Sequence, residues 1–231
     1  MTADDPLDLV LMGPPGAGKG TQGRLLGEAL GVPWISSGDL LRRAVEEGSA
    51  LGERARDVMA RGDLVPDGLM DDLMRSRLGS PDARGGFIAD GYPRTVPQAQ
   101  ALAVALEGLG RSVAAALAIS LAEDVVVDRL SGRRTCPVCG RVYHVTHEPP
   151  IRAEHCDADG AALIRREDDT VATIRRRLAV YHEESAPLIA HYGERGLLRE
   201  VDGSGPPPAV AERLSAAASA AQVGRVGHRG R

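Results

Sequence analysis

The stretch Asp8-Leu-Val-Leu-Met-Gly-Pro-Pro-Gly-Ala-Gly-Lys-Gly-Thr21 decides the fold of this 231-residue chain. Its apolar beginning predicts a buried strand that ends in a glycine-rich turn, and a helix is predicted to begin near Lys19. Gly13, Gly16 and Gly18 have no Cβ, so the turn can direct successive backbone N–H groups at one anion, to which the helix N-terminus adds its positive end. Strand, turn and helix in this order predict a phosphate-binding loop.

Lys19 is the only lysine in the chain, and every other cationic side chain of this kind is an arginine. A compact ammonium suits the β- and γ-phosphates of a nucleotide, and the Thr21 hydroxyl can reach their Mg²⁺. The spacing Gly13-x4-Gly18-Lys19-x-Thr21 differs by one residue from the common pattern, because Gly20 separates the lysine from the hydroxyl residue.

Composition and charge exclude several classes of protein. The formal net charge is −4 with acids and bases interspersed, which gives no reason to expect a nucleic acid or a membrane surface as partner. No segment holds the roughly 18 consecutive apolar residues that a membrane span needs. The first seven residues carry two acids and no base, unlike a secretory signal. We therefore expect a cytoplasmic protein.

Strand and helix patterns alternate along the rest of the chain. Apolar runs typical of strands occupy residues 32–35, 87–89, 113–121 and 198–201. Helical spacing occupies residues 22–30, 36–47, 50–60, 67–78, 99–109, 122–130, 170–195 (bent before Pro187) and 209–221. With a phosphate loop after the first strand, this order predicts an α/β fold, a doubly wound parallel five-stranded sheet with two small inserted domains.

The cysteines of the chain, Cys136, Cys139 and Cys156, lie within 21 positions of one another. An odd number in a reducing compartment favours metal ligation over a disulfide framework. The spacing Cys-x2-Cys-x16-Cys-x2-Asp could close tetrahedrally on a structural zinc through three thiolates and the Asp159 carboxylate. His155 competes for the fourth position, but adjacent side chains rarely share one metal, and Asp159 occupies the second position of its pair.

Residues Gly13-Pro-Pro-Gly-Ala-Gly-Lys-Gly-Thr-Gln22 resemble the phosphate loop of adenylate kinases, and later motifs follow that family in order from about residue 7 to about residue 217. The chain is most similar to the bacterial type with a long, zinc-binding lid. The resemblance implies a phosphotransferase with a phosphate group as acceptor, which catalyses ATP + AMP ⇌ 2 ADP with Mg²⁺. It also selects Asp159 as the fourth zinc ligand. We expect a monomer whose partners are ATP, AMP and ADP.

The resemblance divides the chain into domains. The P-loop core comprises residues 1–35, 66–131 and 170–221. Residues 36–65 form the domain that binds the nucleoside monophosphate, and residues 132–169 form the lid with its zinc knuckles. Residues 222–231 are basic and rich in glycine, and we expect them to be disordered.

On the donor side, the resemblance assigns ATP to the phosphate loop, the lid and one late loop. The implied contacts are Gly16, Ala17, Gly18, Lys19, Gly20, Thr21, Arg129, Arg133, His144 and Gly205. His144 would pack near the donor adenine with Arg129 across from it. Gly205 belongs to the loop beneath that base.

On the acceptor side, the resemblance rests on Ile-Ser-Ser-Gly-Asp-Leu-Leu-Arg at residues 35–42, on residues 63–67 and on Asp-Gly-Tyr-Pro-Arg-Thr at residues 90–95. The implied AMP contacts are Ser37, Arg42, Leu64, Val65, Gly91, Arg94, Gln98, Arg166 and Arg177. Ser37 stands where threonine is more usual. Gln98 would read the edge of the acceptor adenine, and the bond before Pro93 is expected to be cis.

The implied catalytic groups are cations that surround the transferring phosphoryl group, namely Lys19, Arg94, Arg129, Arg133, Arg166 and Arg177. Asp168 and Asp169 would hold two of the arginines by bidentate pairing. Asp90 ends a strand next to the phosphate loop, where a carboxylate is placed to hold a magnesium-bound water.

Two alternatives stay open. A UMP or CMP kinase shares the phosphate loop but is generally built with a short lid, so Gln98 and the long metal-bearing segment count against it. A zinc-ribbon nucleic-acid module joined to an NTPase would use interleaved aromatic residues, and residues 132–169 hold only Tyr143.

Overall fold

The computed structural model describes residues 6–228, and its strands form one large and one small sheet. The strands are β1 (Leu7–Met12), β2 (Trp34–Ser36), β3 (Gly86–Asp90), β4 (Val113–Ser120), β5 (Arg133–Thr135), β6 (Val142–His144) and β7 (Leu198–Asp202). Within the described residues the large sheet has five strands, all parallel, in the order β2-β3-β1-β4-β7. This confirms the predicted doubly wound α/β sheet.

Helices cover both faces of the large sheet. They are α1 (Lys19–Leu30), α2 (Ser37–Glu46), α3 (Ala50–Arg61), α4 (Asp67–Leu78), α5 (Val96–Glu107), α6 (Glu123–Ser131), α7 (Val171–Val180), α8 (Pro187–Gly193) and α9 (Pro207–His228). Most lie within a few residues of the predicted spans, and α4 lies where it was predicted. The second strand begins at Trp34 rather than Val32, because the Val32 N–H is used to close the end of α1 on the Gly27 carbonyl (3.1 Å).

The central strand β1 has both faces buried. Val10 and Met12 pack with the cluster that contains Phe87, while Leu9 and Leu11 pack with the opposite cluster. Successive side chains of a strand point to opposite faces, so a strand inside a covered parallel sheet needs apolar side chains on both faces. Asp8 is the polar exception in β1, and it pairs with Arg111. The neighbours of β1 are β3 on one side and β4 on the other. The order in which successive strands are added to the sheet therefore changes direction at β1. This is where α/β sheets bind ligands, at the carboxyl ends of the strands.

A small second sheet lies in the segment between α6 and α7, where the lid was expected. Strands β5 and β6 pair antiparallel, and Thr135 bridges to Ile164. Apart from half-buried Ala161, its apolar cluster consists of Cys136, Tyr143, Cys156 and Leu163. So small a cluster contributes little hydrophobic stabilisation, which agrees with the expectation that a metal orders this segment.

The predicted helix over residues 170–195 is divided by a wide turn. Residues Tyr181–Ser185 are π-helical, and the Ala186 N–H donates to the carbonyl of Tyr181, five residues back (2.8 Å). Pro187 has no N–H to continue an α-helical ladder, and the wide turn lets α8 begin at that residue.

The predicted disorder of residues 222–231 is wrong for most of that span. Helix α9 continues to His228, and the last three residues lie outside the described part of the chain. Ala218 and Ala221 are buried against the sheet. An anchored helix extends without a new nucleation step, so Gly224 and Gly227 lower its propensity without ending it.

None of the helices between residues 6 and 228 combines the length and the apolar composition that spanning a bilayer requires.

Candidate active site

The loop between β1 and α1 folds around the Lys19 ammonium. Gly13, Gly16 and Gly18 have φ of 141°, 77° and 88°. A Cβ on Gly13 would lie 2.5 Å from the carbonyl oxygen of Ile119, so this position requires glycine. Lys19 Nζ donates to the carbonyls of Gly13 and Pro14, each at 2.8 Å. The ammonium is therefore held over the loop, where an anion on the α1 N-terminus would meet it.

Lys19 and Asp90 form the electrostatic centre of this crevice. Burial lowers the pKa of Lys19 to about 8, although the carboxylate of Asp90 opposes the shift. Burial also raises the pKa of Asp90, against the pull of Lys19 and Arg94. Burial destabilises the charged form of each group relative to water. The opposite charge of its neighbour stabilises that charged form.

Asp90 is the last residue of β3, paired in register with Leu11 of β1. It is 8% exposed, and its Oδ2 accepts a hydrogen bond from the indole N–H of Trp34 at 3.3 Å. Sequence reasoning placed the carboxylate at this edge but missed the indole, which comes from the first residue of β2.

Gly91 connects Asp90 to the predicted acceptor residues. Its carbonyl accepts from Ser37 Oγ at 2.7 Å and from Arg94 Nε at 2.9 Å. Its φ is 75°, and a Cβ there would lie 2.7 Å from the Ser37 hydroxyl. The Tyr92–Pro93 peptide bond is cis, as expected. The structure thus brings Ser37, Gly91 and Arg94 together.

Gln98 lies in the first turn of α5 and is 2% exposed. Its Oε1 accepts from the backbone N–H of Arg94 at 2.7 Å, and its Nε2 donates to Asp67 at 2.7 Å. Thr95 also donates to Asp67, at 2.9 Å. Both ends of the amide are therefore used to hold the Arg94 turn in this structure, and the reading of an adenine edge stays a prediction. Sequence reasoning gave no role to the Asp67 side chain.

The arginines expected on the acceptor and transfer sides lie close to one another, and the carboxylates near them are too few to pair with every guanidinium. Arg133 donates twice to Asp169, at 2.8 and 2.5 Å, and Arg177 donates to Asp168 at 2.8 Å. Arg42 pairs with Asp39. Within residues 6–228, Arg166 forms no ion pair, and burial with repulsion from Arg42 and Arg133 lowers its pKa to about 10.

Repulsion extends across this group of guanidiniums. Burial, then Arg177, lowers the pKa of Arg94, and burial lowers that of Arg177. Burial works against the charge of Asp168, but Arg177 and Arg133 outweigh it and lower the pKa of that carboxyl. Closely spaced guanidiniums that are oriented by ionised carboxylates form a site that favours a multiply charged anion.

The predicted donor-base residues lie around the C-terminal end of α6. Arg129 donates to the carbonyl of Gly203 at 3.3 Å, beside the loop that contains Gly205. His144 packs on Gly132, where a Cβ would lie 2.2 Å from its Nε2. His144 Nδ1 accepts from the backbone N–H groups of Thr146 and His147, at 3.1 and 3.0 Å, so the proton of a neutral ring is on Nε2.

The remaining predicted site residues have unequal exposure. Thr21 is exposed in the first turn of α1, Leu64 is half-buried, and Val65 belongs to the core beside α2 and α3. Val65 can therefore offer its backbone, but its side chain is already packed.

The three cysteines and Asp159 come together at two similar turns. The N–H of Gly140 donates to the Cys136 carbonyl at 3.1 Å, and that of Gly160 donates to the Cys156 carbonyl at 2.9 Å. Both glycines have φ near 70°. Asp159 therefore occupies in the second knuckle the position that Cys139 occupies in the first. His155 instead contacts the Ala153 carbonyl through Nδ1, at 2.8 Å.

The spacing of these donor atoms fits zinc. Tetrahedral zinc, with Zn–S of about 2.3 Å and Zn–O of about 2.0–2.2 Å, separates its ligand atoms by about 3.4–3.8 Å. The Sγ atoms of Cys139 and Cys156 lie 3.5 Å apart, and Cys136 Sγ lies 3.3 Å from the Asp159 carboxylate. All four ligand atoms lie within 4.8 Å of one another. Three thiols and one carboxylate at these separations could hold one metal ion.

Comparison with known proteins gives one consistent family. The family model described as Adenylate kinase matches residues 11–197. An adenylate kinase of Moorella thermoacetica is 48% identical over 202 residues, which cover 87% of this chain and 93% of that protein. One from Anaeromyxobacter dehalogenans is 48% identical over 202 residues, 87% of this chain and 94% of that protein. One from Trichlorobacter lovleyi is 44% identical over 211 residues, 91% of this chain and 99% of that protein.

Proposed function

The chain belongs to the adenylate kinase family, and on that premise we propose how its residues carry out the family's reaction. Its function is that of an adenylate kinase, a phosphotransferase that converts ATP and AMP reversibly into two ADP with Mg²⁺. The observation that carries the assignment of residues is the group of half-buried guanidiniums near Lys19, since Arg94, Arg133 and Arg177 each act to lower the pKa of that ammonium.

Transfer between two phosphate groups needs no general base, because the acceptor is already an anion. The demands are in-line placement and compensation of charge. We assign the phosphates of ATP to the loop of residues 16–21, with Lys19 stabilising the moving phosphoryl group. Arg42 and Arg94 fix the phosphate of AMP. Arg129, Arg133, Arg166 and Arg177 complete the cationic shell. Asp169 orients Arg133, and Asp168 orients Arg177.

Mg²⁺ enters with ATP and, when bound, offsets phosphate charge. The residues present fit it, because Asp90 is a buried carboxylate at the end of β3 and its charge acts on Lys19 of the phosphate loop. Oxygen donors are the ligands that Mg²⁺ prefers, and it keeps several of its waters. We propose that Asp90 holds one of those waters and that the hydroxyl of Thr21, in the first turn of α1, reaches the Mg²⁺ of ATP.

We propose a structural Zn²⁺ on Cys136, Cys139, Cys156 and Asp159. Four protein ligands leave no open position for a substrate or a reactive water, so the metal orders the segment and takes no part in transfer. The support is the tetrahedral spacing of the donor atoms and the near-equivalence of the two knuckles.

We also propose the domain division of the sequence analysis, in which residues 36–65 close over AMP and residues 132–169 close over ATP. Closure excludes water, which would otherwise accept the phosphoryl group. We further propose that the chain acts as a monomer in the cytoplasm, with no nucleic-acid or membrane partner. The mixed surface charge and the net charge of −4 support this.

The test of function is a coupled phosphotransfer assay with ATP and each of AMP, CMP, UMP and GMP as acceptor. We expect turnover with AMP to exceed that with the other acceptors by at least roughly 100-fold, a difference that a few base hydrogen bonds can supply. A preference for UMP or CMP would instead support the rival kinase. Filter binding to RNA and DNA tests the zinc-ribbon alternative.

Arg94→Ala is expected to weaken the binding of AMP far more than the binding of ATP. The guanidinium is held toward the acceptor side by the Gly91 carbonyl at 2.9 Å, and Gln98 fixes its backbone. Losing a charge-assisted bond costs about 1.5–3 kcal/mol, so KM for AMP should rise roughly 10- to 100-fold. Initial-rate kinetics with each nucleotide varied in turn measure this.

The matched control is Arg61→Ala, which removes an exposed arginine of α3 that pairs only with Asp63 at 3.3 Å. We expect both KM values to stay unchanged in that variant. An equal rise of KM for ATP and for AMP in Arg94→Ala would contradict the assignment of Arg94 to the acceptor side.

A further inference from the structure

Trp34 is the only tryptophan of the chain, and its indole lies against the proposed magnesium carboxylate. The Nε1–H donates to Asp90 Oδ2 at 3.3 Å. The other carboxylate oxygen accepts no hydrogen bond from residues 6–228. The indole therefore occupies one oxygen of Asp90 and leaves the second available to a water.

Helix α1 is shaped to admit this ring. Gly20, Gly23 and Gly27 recur at helical spacing on the face that meets Trp34. A Cβ on Gly23 would lie 2.4 Å from the indole Cδ1, and one on Gly27 would lie 3.5 Å from the Trp34 Cβ. Each glycine costs the helix about 1 kcal/mol relative to alanine, so close approach of the indole offsets a measurable loss of helix propensity.

Arg24, on the same helix, fixes the ring further. Its guanidinium carbon lies 5.4 Å from the ring centroid of Trp34, within the range of a cation–π contact. Its Nη2 donates to the Gly140 carbonyl in the first knuckle at 3.3 Å. The indole thus has few orientations open to it, and its N–H remains directed at Asp90.

We infer that Trp34 is a positioning residue for magnesium binding, acting through the orientation of the Asp90 carboxylate. The inference rests on the proposed role of Asp90. A carboxylate at the end of a strand can rotate about its χ2 angle, and a donor on one oxygen restricts that rotation. The second oxygen is thereby held in one orientation before Mg²⁺ arrives.

The test compares Trp34→Phe, which keeps an aromatic ring and removes the donor, with the wild-type protein. Calorimetry gives the affinity for a non-hydrolysable ATP analogue with and without Mg²⁺. We expect the gain in affinity that Mg²⁺ provides to fall about 3- to 10-fold in Trp34→Phe, because one hydrogen bond to a charged group is lost. Affinity without Mg²⁺ and affinity for AMP should stay unchanged. The Mg²⁺ concentration for half-maximal turnover should rise by a similar factor.

Two further variants separate the possible failures. Tyr181→Phe is the matched control, since it removes an aromatic donor from the wide turn remote from β2, and it should leave the magnesium gain intact. Asp90→Asn should abolish that gain. If Asp90→Asn loses the gain and Trp34→Phe keeps it, the inference is wrong and the proposed function stands. If Asp90→Asn also keeps it, the proposed role of Asp90 fails together with the inference.

A structural role for Trp34 predicts a different pattern. In that case Trp34→Phe would weaken the analogue equally with and without Mg²⁺, which would overturn the inference. Because the chain has a single tryptophan, its fluorescence gives a second readout in the intact protein. Emission should change when Mg²⁺ is added to the wild-type protein saturated with the analogue, and should not change in Asp90→Asn. If the wild-type emission does not change when Mg²⁺ is added, the inference that Trp34 acts on magnesium binding through Asp90 is contradicted.

Discussion

Replacing Lys19 with methionine is expected to lower kcat by roughly 1,000-fold or more, the scale of losing a preorganised donor to transition-state charge. Methionine has a similar length and no charge. The fold should survive, because the contacts of the ammonium are the carbonyls of Gly13 and Pro14 in its own loop and the field of its ionic neighbours. Single-turnover kinetics and a thermal melt measure the two quantities.

The matched control is Arg84→Met, which removes an exposed cation at the far end of β3 and should change neither turnover nor melting. Near-wild-type turnover in Lys19→Met would contradict the role of the phosphate loop in the mechanism.

The variant Lys19→Arg tests the protonation of this side chain through the pH dependence of kcat/KM for ATP. Since the pKa of Lys19 is about 8, the free enzyme loses this charge above that pH, and kcat/KM for ATP should decline there. Arginine stays protonated, so this decline should be absent from the variant.

Removing zinc is expected to unfold residues 133–165 locally while the parallel sheet stays folded. Apart from half-buried Ala161, the segment's apolar cluster contains only Cys136, Tyr143, Cys156 and Leu163, so most of its order comes from coordination. Structural zinc contributes about 10–16 kcal/mol in small zinc-finger peptides at neutral pH. Hydrogen exchange in this segment should accelerate by roughly 100-fold or more after chelation. Activity should fall with the order of the segment, because Arg133 and His144 of the proposed ATP site lie within it.

Elemental analysis should give one zinc per chain in protein purified with zinc available. Asp159→Cys should keep or raise zinc affinity, because Asp159 stands where the first knuckle has Cys139 and thiolate is the softer ligand. His155→Ala should leave it unchanged, since that ring faces the Ala153 carbonyl. Val138→Ala, at an exposed residue of the first knuckle, is the control. Metal-free protein, or loss of zinc in His155→Ala but not in Asp159→Ala, would refute this ligand set.

The parts of the fold that sequence predicted well depend on local signals. Strand β1 and its loop follow from an apolar run, closely spaced glycines and a lysine within 14 residues. Helix α4 was predicted over the residues where it lies, because residues 67–78 have amphipathic helical spacing. The knuckles were likewise predictable from Cys-x2-Cys spacing, which is a property of one turn.

What sequence did not predict are contacts between distant side chains. Trp34 meets Asp90 56 residues later, and Arg111 Nε donates to buried Asp8 at 3.0 Å across 103 residues. The contacts of the Gln98 amide with Asp67 and the Arg94 N–H were not predicted either. Such pairings follow from which elements become neighbours in the sheet. The spacing of Gly20, Gly23 and Gly27 was a usable signal, since three glycines on one helix face indicate that a bulky group lies against it.

The position of β1 between β3 and β4 also has a consequence during protein synthesis. Leu7 pairs with Gly86, 79 residues later, and Leu9 pairs with Ala115, 106 residues later. At about 5–20 residues per second, the ribosome needs roughly 4–16 s to produce the first of these partners. Throughout that interval a largely apolar strand of the nascent chain has no neighbour in the sheet. Slow codons placed before residue 86 would prolong its exposure.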